Sequence, residues 1–184
     1  MIIVGIDEVG RGCWAGPLVA GAVILQKPIS GLTDSKLLSK KTRDQLSAII
    51  KNEALAIGLG WVDANVIDKV GLTEAVRIAM SDALAQIKIA YDRIIIDGDY
   101  NYLHLNDKAE TLIKADLIEP SVSAASILAK VARDTYMETV ARIYPEYGFE
   151  NHVGYGTKQH SDNLKLYGVS NIHRKSFKPV RALL

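Results

Sequence analysis

Three short apolar runs of this chain each end on a carboxylate. Ile2, Ile3, Val4 and Ile6 lead into Asp7 and Glu8, "RIIID" ends on Asp97, and the weaker "ETLIKAD" ends on Asp116. Continuous β-branched runs of this length read as strands covered on both faces rather than as half-exposed ones. Strands of that kind require helices on both sides of a sheet, so the chain is predicted to be an α/β layered domain. Sites in such sheets collect at the carboxyl ends of the strands, where all three runs place their acids.

The remaining pattern supplies the layers. "PLVAGAVIL" (Pro17 to Leu25) and "LAIGLGWV" (Leu55 to Val62) read as further strands. Between them, Ser39 is placed to cap a helix that turns Leu46, Ile49 and Ile50 inward. Leu72, Ala75, Val76, Ala79, Met80, Ala83, Leu84 and Ile87 repeat at helical spacing and form a core stripe. A long helix over "SAASILAKVARDTYMETVARIY" is predicted to start at Ser121 or Ser123. With 184 residues, no internal repeat and no linker-like tract, residues 1–184 are read as one domain.

Composition excludes several classes. A net charge of +1 gives no global cationic field, although the segment from Ser170 to Leu184 holds four Lys and Arg and no acid. Cys13 is the single cysteine, so no disulfide framework or cysteine zinc site is available. The longest uncharged stretch, Gly12 to Gln26, is too short for a membrane span and contains Gly and Pro. With no basic n-region at the start, a cytoplasmic location and no membrane partner are expected.

Carboxylates that converge in a low-dielectric cleft need a cation beside them. Oxygen ligands without Cys or paired His favour Mg²⁺ or Mn²⁺, and such sites handle phosphate chemistry. Asp7 and Glu8 pose a difficulty, because adjacent strand residues face opposite ways. Either "VGRG" bends the chain to bring both to one ion, or one acid only supports the other. A dinucleotide site is rejected, since Gly10, Gly12 and Gly16 have the wrong spacing and lead into a strand, not a helix.

"GIDEVGRG", "DSK" (Asp34 to Lys36), "IIIDG" (Ile94 to Gly98), "KAD" followed by "SAASILAKVARD" (Lys114 to Asp134) and "GYGT" (Gly154 to Thr157) together resemble the ribonuclease HII family over nearly the whole chain. The resemblance implies a ribonuclease H-like fold, with a mixed five-stranded sheet flanked by helices and a helical C-terminal segment. It implies an endonuclease that cleaves RNA in RNA–DNA hybrids and cuts 5′ of single ribonucleotides in duplex DNA, leaving 3′-hydroxyl and 5′-phosphate ends. It further implies two-metal hydrolysis at Asp7, Glu8, Asp97 and Asp116, with Gly10, Arg11 and Gly12 reading the ribose 2′-hydroxyl and Tyr155 packing on the adjoining deoxyribose.

Lys36, Lys130, Arg133, Arg174 and Lys175 are candidate phosphate contacts, Lys36 foremost because it follows a matched motif. Lys130 and Asp134, four apart on a helix, alternatively pair with one another. His152, His160 and His173 are expected at the surface, with contact to phosphate as the alternative for His173 beside Arg174. Asp99, where the family often has a neutral residue, either adds charge near the metals or caps a turn. A monomer is expected, and recruitment by a sliding clamp is left open.

Overall fold

The computed structural model describes residues 1–184. Its strands are β1 (Ile3–Val9), β2 (Leu18–Leu25), β3 (Ala54–Val62), β4 (Arg93–Asp97) and β5 (Ala109–Leu112). Its helices are α1 (Lys40–Glu53), α2 (Ala64–Val70), α3 (Leu72–Ala85), α4 (Pro120–Ile143), α5 (Phe149–His152), α6 (Lys158–Tyr167) and α7 (Lys178–Arg181). No helix is long and apolar enough to cross a membrane.

The five strands form one mixed sheet in the order β3-β2-β1-β4-β5. β1 to β3 run as an antiparallel meander, and β4 joins β1 in parallel, with Ile6 beside Ile96. The apolar runs occupy the centre, and β2 is buried along nearly its whole length. β3, at the edge, alternates between buried Gly60 and Val62 and exposed Leu55 and Trp61.

Helix α3 covers one face. Its predicted stripe packs on Val4, Ile6, Ala20, Ala22, Ile94 and Ile96. Helices α4 and α1 cover the other face, where Ala124, Ile127 and Leu128 meet Val23, Leu46 and Ile50. Both contacts are backbone-close: a Cβ on Gly60 would lie 1.9 Å from the Ala79 carbonyl oxygen, and one on Gly5 would lie 2.1 Å from the Ser121 carbonyl carbon. The C-terminal half of α4 carries a second core, in which Met137, Val140 and Ala141 pack against Tyr147, Phe149, Leu164 and Val180 of the C-terminal helical segment.

Two local expectations are corrected. β5 stops at Leu112, and Asp116 sits in a one-turn 3-10 helix, Ala115–Leu117. The ladder ends because Lys114 turns left-handed (φ 58°, ψ 38°), and Ala115 N–H donates to the Asp97 carboxylate at 2.8 Å instead of to a strand. Helix α4 begins at Pro120, whose fixed φ suits a first helical position, and Glu119 accepts from Ser121 N–H at 3.1 Å as its cap. Ser121 and Ser123 are therefore inside the helix. Helix α2 was not anticipated; it is a two-turn helix closed by Gly71 at φ 81°. Ser39 does cap α1, accepting from Thr42 N–H at 3.1 Å.

Adding one methyl group at Gly5 should force α4 away from β1. Gly5→Ala is expected to lose about 1–3 kcal/mol or more of stability, the usual cost of overpacking. Urea denaturation checks this, with an unchanged midpoint as the contrary result.

Candidate active site

β1 carries Asp7 and Glu8 in unbroken pairing with β2, Asp7 opposite Gly21 and Glu8 opposite Ala20. The strand has no bend at this point, so the two side chains leave by opposite faces. Asp7 shares the α4 side with Gly5, and the Ser126 hydroxyl on that helix acts to lower its pKa. Glu8 lies on the α3 side, 3.2 Å from Arg11 Nη1. Asp97 closes β4 on the strand next to β1, and Asp116 follows it through the hydrogen bond from Ala115. The Ser123 hydroxyl of α4 donates to the Asp116 carbonyl and ties that turn to the helix.

Burial pushes Asp7 up to about 8, and the negative charges of Glu8 and Asp97 add to the rise. Glu8 is also raised by burial, with Arg11 opposing and Asp97 adding. Burial raises Asp116 as well, followed by Asp97 and Asp34. Asp97 is the common neighbour of the other three acids, so the four form one electrostatic unit at the end of the sheet.

Asp34, Lys36, Asp97, Asp99, Lys114 and Asp116 line a cleft of about 390 Å³. A second hollow of about 310 Å³, with Arg11, Thr73, Tyr100 and Tyr102, adjoins it across Asp97, Gly98 and Asp99. Asp99 is exposed and lines both, placing it on the side of added charge. Asp34 was not singled out as a site residue, although its "DSK" motif was; its carboxylate accepts from Lys36 N–H at 2.8 Å.

No three His, Cys, Asp or Glu side chains lie close enough to enclose an ion by themselves. The donor set nevertheless fits a hard divalent cation. It is all oxygen, it carries more negative charge than its burial tolerates, and it opens on a cleft. Mg²⁺ takes one or two carboxylates and completes its octahedron with water and substrate phosphate, so an open half-site suits it better than a cage.

The segment after Glu8 is the other half of the site. Gly10 turns at φ 92°, and a Cβ there would lie 2.4 Å from Arg133 Nε. Gly12 has nothing within 4 Å of where its Cβ would be, and is exposed. Arg11 is held between Glu8 and the Tyr102 ring, 5.8 Å from its centroid. Tyr155 meets this segment through a β-bridge to Cys13, and its ring, 37% exposed, has the Lys130 ammonium 5.6 Å from its centroid.

The expected cations divide sharply. Lys36 is exposed in the acid-lined cleft. Lys130 pairs with Asp134 at 2.8 Å. Lys175 lines a separate hollow with Gly16, Pro17 and Tyr136, away from the four acids. Arg133 and Arg174 are corrected outright, because both are 0% exposed and hydrogen-bonded to backbone carbonyls. Arg174 holds Gly16 through Nε (3.1 Å) and Nη2 (3.0 Å), and Arg11 through Nη1 (3.1 Å). Burial lowers its pKa to about 10, with the Arg133 charge adding to the fall.

The histidines are corrected too, since His152, His160 and His173 are all buried. His160 Nδ1 meets the Tyr155 carbonyl at 2.9 Å, so that nitrogen donates and Nε2 accepts. His173 Nε2, 3.1 Å away, must then donate, leaving its Nδ1 to accept from Ser170 N–H and hydroxyl. Burial pushes both His160 and His173 down to about 4. Sequence spacing carried no sign of this cluster, because its members come from three separate segments.

A family model described as Ribonuclease HII matches residues 4–180. The chain belongs to the ribonuclease HII family. It is 44% identical over 184 residues to a ribonuclease HII of Halorhodospira halophila, covering 99% of this chain and 94% of that one. The crystal structure of ribonuclease H2 from Pyrococcus horikoshii OT3 superposes with a TM-score of 0.84 at 28% identity, over 100% and 97% of the two chains. The ribonuclease HII in a complex with PCNA from Archaeoglobus fulgidus superposes at 0.83 with 24% identity, over 97% and 96%. As a ribonuclease HII the chain is a metal-dependent endoribonuclease acting on RNA in RNA–DNA hybrids.

Asp7 binds its proton far more tightly in the folded chain, at about 8, than a free aspartate does at 3.8. Its protonation therefore favours folding, and stability is lost as pH rises from about 4 through 8. Asp7→Asn should melt higher than wild type at pH 7.5 without divalent cation, by roughly 2–4 °C per kcal/mol of relieved repulsion. Its melting curve should also be flatter across that window. Equal melting temperatures for the two proteins at pH 7.5 would contradict the raised pKa.

Proposed function

We propose that this ribonuclease HII cuts on the 5′ side of a ribonucleotide, in hybrids and at single ribonucleotides within duplex DNA, leaving 3′-hydroxyl and 5′-phosphate ends. One observation carries the reading. The Gly10–Gly12 turn leaves directly from the strand that holds Asp7 and Glu8, and Cys13, next in the chain, pairs with Tyr155. The acids and the sugar-facing backbone are thus one continuous piece of chain.

The open side of Gly12 lets the backbone approach a ribose, whose 2′-hydroxyl is the group that separates RNA from DNA. The Tyr155 ring packs on the next sugar, which must lack that hydroxyl. Its own hydroxyl, raised to about 12 chiefly by burial, stays protonated. Lys36 offsets phosphate charge inside the acid-lined cleft. Arg11, tethered to Glu8, steadies the turn.

Asp7, Asp97 and Asp116 would hold the divalent cations, Mg²⁺ or Mn²⁺, with Glu8 adding its charge from the opposite face of β1. A bound pair of such ions supplies an acidified water and charge stabilisation for a departing oxygen. The carboxylates fix where that charge sits, and their excess repulsion is relieved when it arrives.

Cleavage mapping on a duplex with one ribonucleotide tests the reading, with the cut expected 5′ of that nucleotide. A wild type that cuts long hybrids but never this duplex would overturn it. Gly12→Ala should leave stability within about 0.5 kcal/mol, as surface changes usually do. It should slow junction cleavage by about 10²-fold, the scale of a 1 Å misplacement. Paired thermal melts and single-turnover rates separate these two effects.

A further inference from the structure

We propose that Arg133 is a positioning residue that sets the spacing between the Gly10–Gly12 turn and Tyr155, and thereby fixes which sugar is accepted on each side of the cut. The proposal rests on the ribonucleotide reading above. Arg133 comes from the middle of α4 and is fully buried. Its donors reach three carbonyls in two segments: Nε to Pro17 at 2.8 Å, Nη2 to Ala15 at 3.0 Å, and Nη1 to Val153 at 2.8 Å. The first two belong to the loop that begins at Gly10, and the third lies two residues before Tyr155.

The surroundings are built for this contact. None of the salt bridges includes Arg133, so a buried cation is held by carbonyl dipoles and the nearby Tyr155 ring, with no acid beside it. An arrangement of that kind is costly, and a hydrophobic side chain would fill the same space at less expense. Val153 is β-branched yet sits at φ 43°, ψ 35°, a left-handed conformation that side chains of its kind rarely adopt. In that conformation its carbonyl meets Nη1. Such outliers persist where the surroundings over-determine them.

The two segments touch directly as well. Trp14 N–H donates to the Gly154 carbonyl at 2.8 Å, and a Cβ on Gly154 would lie 2.4 Å from the Ala15 oxygen. The Arg133 guanidinium itself lies 5.9 Å from the Tyr155 ring centroid. A planar fork fixes three acceptors in set directions, whereas a lysine ammonium is a single point and cannot.

The test compares Arg133→Lys and Val153→Gly with wild type on two substrates, a duplex with one ribonucleotide and a hybrid with a long RNA tract. The quantity read is the ratio of kcat/KM between them, together with the position of the cut. Arg133→Lys should lower the single-ribonucleotide-to-tract ratio by about tenfold or more, through kcat rather than KM, and scatter the cut position. Val153→Gly keeps the guanidinium, removes the crowding at φ 43° and loosens the hold on the carbonyl, so the ratio should fall, while the lost packing of Val153 on the second core lowers the melting temperature only modestly. If Arg133→Lys does not fold, Val153→Gly decides alone. Unchanged ratios in the folded variants, with the wild type still cutting at the single ribonucleotide, would make Arg133 merely structural and overturn the proposal. A wild type that never cuts there overturns the ribonucleotide reading, and this proposal with it.

Discussion

The contact on which everything else depends is the backbone-close seating of helix α4 on β1 and β2. Side chains at Gly5 and Gly21 would collide with the helix main chain at Ser121 and Ala125, so their absence sets the helix–sheet distance. From that position α4 reaches Asp7, the Asp116 turn and the Tyr155 ring. Ser126 meets Asp7, Ser123 holds the Asp116 turn, and Lys130 faces the Tyr155 ring. Further along, Met137 and Val140 anchor the C-terminal helices. The small residues of "SVSAASILA" thus make possible a packing distance that longer side chains would forbid.

This rigid support allows an arrangement that is unfavourable by itself. Asp7, Glu8 and Asp116 are all raised by burial and share the negative charge of Asp97. A flexible loop would relieve such repulsion by moving apart. Residues on two paired strands and a hydrogen-bonded turn cannot, and in the function proposed above that repulsion becomes affinity for cations. Stability given up at a site for the sake of its chemistry is a common exchange in enzymes.

Much of this was legible in the residues, and the exceptions have a shared cause. Apolar periodicity located β1, β2, β3, α1 and α3, because burial on a sheet or helix face leaves a repeating mark. The acids at strand ends were legible for the same reason. Hidden from that view were features set by backbone partners. The end of β5 depends on the left-handed turn at Lys114, which no side-chain pattern announces. Arg133 and Arg174 looked like surface cations because arginine is usually exposed. Their acceptors are carbonyls of Arg11, Ala15, Gly16, Pro17 and Val153, groups that every residue possesses and that a sequence cannot distinguish.

The buried histidines have a consequence for how the molecule comes apart. His160 and His173 face one another through a single shared proton position, and each outer nitrogen is already committed to its own neighbour. An added proton on either ring puts two N–H groups head to head or opposes the Ser170 N–H. His152, stacked 4.6 Å from His160, accepts from Gly154 N–H through Nδ1 and has no lone pair to spare for a proton. A proton on any of the three rings therefore costs a hydrogen bond inside the packing between Tyr147 and His173, the stretch of chain that also carries Tyr155.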